Sequence, residues 1–119
     1  MSKVCAISIY VTDLDKSAEF YSGVLGMSVK EKMPYIVQLN HDGVDVVLCQ
    51  GEKPAAGEYS KSASVVLGFV TPNLDESIES MRANKVKLVH DQPQDFPVGR
   101  YVAFQDPSGN VHELLEFST

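Results

Sequence analysis

The side chains best able to do chemistry are few and scattered. Histidine occurs at positions 41, 90 and 112 and cysteine at 5 and 49, and none of these spacings is that of a metal-binding motif. His41 and His90 fall in turn or loop segments. His112 and Glu113 are adjacent, and on an extended strand adjacent side chains point to opposite faces. Glu113 stands in a short, mostly apolar, strand-like stretch. A carboxyl group in apolar surroundings resists ionisation, which suits a general acid or base. An ionised one meets a cationic group instead, and one at a wet rim, or bonded to a neighbouring backbone or tyrosine group, does neither. Cys49 is a potential thiol nucleophile, but no histidine is placed to activate it, and unactivated buried cysteine is inert. Tyr10 offers a phenol to a ligand oxygen, or packs with its hydroxyl in water.

The elements that must carry these residues come in two similar sets. Shifting the chain by 60 residues puts Ile7, Ile9, Leu14, Asp15, Ser17 and Glu19 on Leu67, Phe69, Leu74, Asp75, Ser77 and Glu79. Shifting it by 66 puts Tyr35, Gly43 and Leu48 on Tyr101, Gly109 and Leu114. The change of offset places extra chain near residues 91–99. The order of the matches and their shared turn signals indicate an internal duplication.

Each half reads as strand, helix and three strands. Residues 4–11 are β-rich and mostly apolar, so this strand is expected to be covered on both faces. Asp13 is an N-cap, with Leu14, Ala18, Tyr21 and Leu25 at helical spacing and Gly26 as the C-terminal stop. Strands follow at 27–30, 35–39 and 44–49, the last two joined by a turn at His41, Asp42 and Gly43. In the second half, 64–71 is a strand. Asn73 is an N-cap with Glu76 as capping-box partner, and Leu74, Ile78 and Met81 form the apolar stripe. Strands follow at 86–89, 101–105 and 110–117, with a turn at Asp106, Pro107, Ser108 and Gly109. The domain divides into a first module over 1–50, a linker over 51–62 rich in Gly, Pro, Ala and Ser, and a second module over 63–119.

Two stretches resemble a known family. The run from Asp13 through Leu14, Asp15, Lys16, Ser17, Ala18, Glu19, Phe20 and Tyr21, followed by Val24, Leu25 and Gly26, resembles the first-helix signature of the vicinal oxygen chelate superfamily. The stretch from Gly99 to Asn110, ending in Glu113 and Leu114, resembles its last hairpin. The resemblance implies an α+β fold of two βαβββ modules forming a half-open mixed barrel, the glyoxalase/bleomycin resistance fold, around a small-molecule cavity. Members include glyoxalase I, extradiol dioxygenases, methylmalonyl-CoA epimerase, fosfomycin-modifying enzymes and bleomycin-binding proteins, so the fold does not settle the function.

The family's enzymes hold one divalent metal on four positions. Carried over, these fall on Ala6, Val47, Val66 and Glu113. Ala and Val have no lone pairs to give, and one carboxylate does not hold a transition metal tightly. The expectation is therefore no metal and no cofactor, with Zn, Ni, Mn or Fe as the alternative on a shifted ligand set. Strand alternation places Ser8, Tyr10, Gln38, Val47, Cys49, Val66, Gly68, Val70, Val102, Phe104, Glu113 and Leu115 on the cavity side. Of these, Ser8, Tyr10, Gln38, Cys49, Val66, Val102, Phe104 and Glu113 are the expected ligand-binding residues. Tyr35 and Tyr101 read as scaffold, Cys5 and Cys49 as unpaired thiols, and 90–99 as a lid over the cavity or a dimer contact.

Composition narrows the class. The chain has 119 residues, 44% hydrophobic, with a net charge of −6. An acidic chain is a poor nucleic-acid partner. No apolar run approaches the roughly 18 residues of a membrane span. Two cysteines and no signal-peptide pattern point to the cytoplasm. The leading expectation is a small-molecule-binding protein, a homodimer that sequesters an organic guest without a metal. The alternative is a metal-dependent or Glu113-dependent lyase, isomerase or dioxygenase of the same superfamily.

Overall fold

The computed structural model describes residues 2–40, 43–62 and 65–118. Its contacts divide the chain into two compact units, 1–55 and 56–119. The first unit runs β1 (Ala6–Val11), α1 (Leu14–Glu19), β2 (Ser28–Met33), β3 (Ile36–Asn40) and β4 (Asp45–Gln50). Its sheet has the order β1-β4-β3-β2, with β1 parallel to β4 and the other pairs antiparallel. The second unit runs β5 (Leu67–Val70), α2 (Leu74–Ala83), β6 (Lys87–Leu88), β7 (Gln94–Phe96), β8 (Gly99–Gln105) and β9 (Val111–Phe117). Its sheet has the order β5-β9-β8-β6, and β7 also pairs with β8. The class is α+β, two mixed sheets each carrying one helix.

The duplication is visible in the register. The parallel pair of the first unit sets Ser8 against Val47 and Ile9 against Leu48. That of the second sets Gly68 against Glu113 and Phe69 against Leu114. These are the 60- and 66-residue shifts of the sequence, meeting on the same two strands of each sheet. The extra chain that separates the two shifts contains β7, whose Gln94, Asp95 and Phe96 pair with Tyr101, Arg100 and Gly99. The stretch expected to be a lid is thus tied to the sheet by backbone hydrogen bonds over part of its length.

Both helices start as their sequences require. Asp13 is extended and its Oδ1 accepts from the Lys16 amide at 3.0 Å. Asn73 does the same for Glu76 at 3.1 Å. The expected capping-box return from Glu76 is replaced: the Asn73 amide donates to Thr71 Oγ1 at 3.3 Å. Helix α1 is short because its ladder widens to a π turn over residues 20–24, and Gly26 at φ 76° turns the chain out. In the second unit Asp106 organises the last hairpin, accepting from the amides of Ser108 and Asn110 at 2.9 and 2.8 Å while Gly109 takes φ 86°. The expected turn at His41 and Asp42 lies outside the described residues.

Each core lies between one helix and one face of its sheet. In the first unit Ile9, Val11, Val37, Leu39, Val46 and Leu48 are buried with Ala18 and Tyr21. On β1 burial alternates, with Ser8 and Tyr10 exposed, so coverage on both faces is not observed. In the second unit Val102, Phe104, His112 and Leu114 are buried with Leu74, Ile78 and Met81 of α2.

Candidate functional site

The register of the second sheet decides which side chains can meet Glu113. Antiparallel pairing sets Ala103 opposite Glu113, Tyr101 opposite Leu115, Val102 opposite Leu114 and Phe104 opposite His112. Directly opposed residues share a face, so Tyr101, Ala103, Glu113 and Leu115 stand on one side. Val102, Phe104, His112 and Leu114 stand on the other, where the α2 core lies. The expected placement of Val102 and Phe104 beside Glu113 is therefore corrected. Both are fully buried core residues on the opposite face, because the hairpin closes on the pair Gln105 and Val111 and a register one residue away would have reversed every side chain. His112 does point away from Glu113, and burial pushes its imidazole down to about 4 against an opposing pull from the Asp106 carboxylate.

Glu113 is flanked by two of the smallest residues, Gly68 on β5 and Ala103 on β8. Leu115 leans over Gly68, close enough that a Cβ there would sit 2.9 Å from Leu115 Cδ1. From outside the sheet Tyr59 reaches the same carboxyl group, its phenol donating to Glu113 Oε2. Burial, that hydrogen bond and the negative charge of Glu113 all push the Tyr59 phenol upward, so it remains a proton donor. Tyr59 sits on a turn in which the Glu58 carbonyl accepts from the Ser62 amide at 2.8 Å and Ser62 Oγ accepts from the Glu58 amide at 2.7 Å. Part of the expected linker therefore packs into the second unit and brings a residue to Glu113.

A third group completes the cluster. His90 Nδ1 accepts from the Ala103 amide at 3.1 Å. A nitrogen that accepts carries no proton, so the neutral ring holds its proton on Nε2. The His90 ring meets Tyr59 edge-on at 5.6 Å and Tyr101 at 5.5 Å. Phe96 of β7 continues the series against Tyr101 at 5.8 Å and Phe117 at 5.9 Å. Tyr101, expected as scaffold, belongs to this cluster. Tyr59 and His90 were missed because neither lies in a periodic segment. The available signal was a lone aromatic among the small residues of 51–62.

The other expected site residues lie in the first unit, apart from Val66. Ser8, Gln38 and Val47 are register partners, as are Tyr10, Ile36 and Cys49, so Ser8, Tyr10, Gln38, Val47 and Cys49 share the face turned away from that unit's core. Tyr10 is exposed and Cys49 half-buried, and Cys5 and Cys49 are free thiols. Val66 lies half-buried immediately before β5. Among the described residues no three His, Cys, Asp or Glu side chains gather closely enough to hold a metal ion. The positions carried over from the metal enzymes, Ala6, Val47, Val66 and Glu113, do not fit one, since three are alkyl and the fourth accepts from a phenol.

Two mixed sheets of duplicated βαβββ order, with a cluster of polar and aromatic groups on one sheet face, define the class as the glyoxalase/bleomycin resistance fold. Residues 3–114 match the Glyoxalase/Bleomycin resistance protein/Dioxygenase superfamily, and the chain belongs to that family. It is 36% identical to the uncharacterized protein YurT of Bacillus subtilis strain 168, over 96% of this chain and 98% of that one. Among solved structures, the fosfomycin resistance protein FosX of Listeria monocytogenes superposes with a TM-score of 0.82 at 19% identity, covering 99% of this chain and 95% of that one. TnmS3, an antibiotic binding protein from Streptomyces sp. CB03234, superposes with a TM-score of 0.72 at 26% identity, covering 99% and 98%. No helix among the described residues is long and apolar enough to cross a membrane.

Proposed function

We propose that this protein binds a small organic molecule without a catalytic metal ion, holding its guest by hydrogen bonds and apolar contact in the manner of a sequestering protein. The observation that carries this reading is the replacement of the chelating set. Three of the four positions hold Ala6, Val47 and Val66, and the remaining carboxylate, Glu113, is engaged by the Tyr59 phenol. A divalent ion needs about three protein ligands before it can activate water or substrate, and this chain offers one at those positions. The similarity to TnmS3, described as antibiotic-binding, is in keeping with a binding role. In the second unit Val66 and Glu113 remain proposed contact residues, with Tyr59, His90 and Tyr101 added; Ser8, Tyr10, Gln38 and Cys49 remain proposed for the sheet face of the first unit by itself.

Two measurements test the reading. Protein purified without chelator is expected to carry far less than one equivalent of Zn, Ni, Mn or Fe by elemental analysis, and stoichiometric metal would overturn it. A thermal-shift screen of antibiotics, aromatic metabolites and thiol conjugates is expected to raise the unfolding midpoint with a concentration dependence following RT ln(1 + [L]/Kd). Silence across the library would remove the binding role. We also propose a homodimer in the cytoplasm. The free thiol of exposed Cys5 supports a reducing compartment. The edge strands β1 and β2 of the first sheet and β5, β6 and β7 of the second favour pairing with a second copy.

A further inference from the structure

We propose that Tyr59 and His90 complete the Glu113 site and fix the class of molecule it takes: a neutral, planar aromatic ligand presenting a hydroxyl or amide, rather than a cation. This rests on the binding role proposed above and names its ligand. An isolated carboxylate in an acidic protein would favour a cationic guest. Here the Glu113 carboxylate already accepts a charge-assisted hydrogen bond on Oε2, and its register neighbours Gly68 and Ala103 bring no second charge. Among the described residues Oε1 accepts no hydrogen bond, which leaves room for one donor from a guest. The ring in edge contact with Tyr59 carries a donor of fixed tautomer: His90 Nδ1 is committed to the Ala103 amide, so Nε2–H is the group it can offer. One acceptor and one donor match a hydroxyl or an amide, which can give one hydrogen bond and take another.

The aromatic part follows from the rings. Tyr59, His90, Tyr101, Phe96 and Phe117 meet in sequence at centroid distances of 5.5 to 5.9 Å and interplanar angles of 71 to 85°. Edge-to-face contacts of this kind leave ring faces that a flat guest can stack upon or meet with its own edge. Tyr59 is the specificity-determining member. Its ring supplies apolar surface and its hydroxyl occupies one carboxylate oxygen, so that a cation would have to compete with the phenol for it.

The test compares two probes of one shape, 2-naphthol and 2-naphthylmethylammonium, titrated calorimetrically into the full chain and its Tyr59→Phe and Glu113→Gln variants, with circular dichroism confirming that each variant folds. In the unaltered protein 2-naphthol is expected to bind about tenfold or more tightly than the ammonium. Glu113→Gln should weaken 2-naphthol by about tenfold, the scale of a hydrogen bond to a charged group. Tyr59→Phe keeps the ring but frees the carboxylate, and should shift the ratio of affinities toward the ammonium by about tenfold, a change that a merely structural ring would not produce. Equal or tighter binding of the ammonium by the unaltered protein, or a ratio unchanged by Tyr59→Phe, overturns the ligand class and leaves the binding role standing. If neither probe binds, the ligand class again fails, while the binding role is decided separately by the library screen.

Discussion

Protonation of His112 offers the most direct quantitative check on how the second unit is packed. The residue is 3% exposed, with its ring edge-on to Phe69 at 5.5 Å and tilted against Phe104 at 5.6 Å. The Asp106 carboxylate favours the charged form, but its oxygens also accept from Ser108, Asn110 and the Asn110 side chain, and burial dominates. The folded imidazole is pushed from the ordinary 6.5 down to about 4. The unfolded chain therefore takes up a proton near pH 6.5 that the folded chain refuses until about pH 4. Between those values the unfolded state binds more protons, so stability falls as pH falls. Each unit of difference is worth about 1.4 kcal/mol, so the full loss attributable to His112 is on the order of 3 kcal/mol. It is absent above about pH 7 and complete below about pH 4. Urea unfolding of the protein and of His112→Gln across pH 7.5 to 4.5 isolates this loss, because the carboxylates titrate in both. The variant's lower starting stability shifts its curve without changing the comparison of slopes. The difference in unfolding free energy should narrow by ~2–3 kcal/mol over that range. Parallel pH curves, or an imidazole whose NMR signals titrate near 6.5, would show that His112 is not in the apolar layer described and would refute the face assignment of β9.

Two further outcomes are expected. Phe104→Ala should destabilise the fold by about 3–5 kcal/mol, read by chemical denaturation, because Phe104 packs in the core. A loss under about 1 kcal/mol would return it to the ligand face. Light scattering on the purified chain should give the mass of a dimer, twice 13.0 kDa, and a monomer at micromolar concentration would remove the proposed assembly.

Much of the fold was legible because short-range chemistry fixes it. Asp13 and Asn73 cap helices through their own side chains, Gly26 and Gly109 occupy positive φ, and the two offsets of the repeat reappear as strand register. The failures share a cause. Val102, Ala103 and Phe104 are consecutive and all fully buried, so apolar character does not reveal which face each residue takes. Only the length of the connection between Gln105 and Val111 does, and that depends on how Asp106 and Asn110 fold the turn. Glu76 fits the capping-box pattern, yet Thr71 two residues before the cap reaches the same amide first.

The candidate site was legible at one residue for a related reason. Glu113 could be singled out because a strand pattern and a family position both point to it. Tyr59 meets it across 54 positions of sequence, and His90 joins through a backbone amide of β8 that no side-chain pattern records. The two units also differ in residue type at equivalent positions. Ser8 and Val47 occupy in the first sheet the positions that Gly68 and Glu113 occupy in the second. Backbone pairing is the same in both, so it cannot be what makes the second position polar. The difference lies in the residue types at those positions, and in a tyrosine, supplied from outside the strands, that gives the Glu113 carboxylate a proton donor. Similarity of fold extends over 99% of the chain to a fosfomycin resistance protein and to an antibiotic binding protein alike. Fold similarity does not separate these roles, so the proposed binding role rests on the handful of side chains around Glu113.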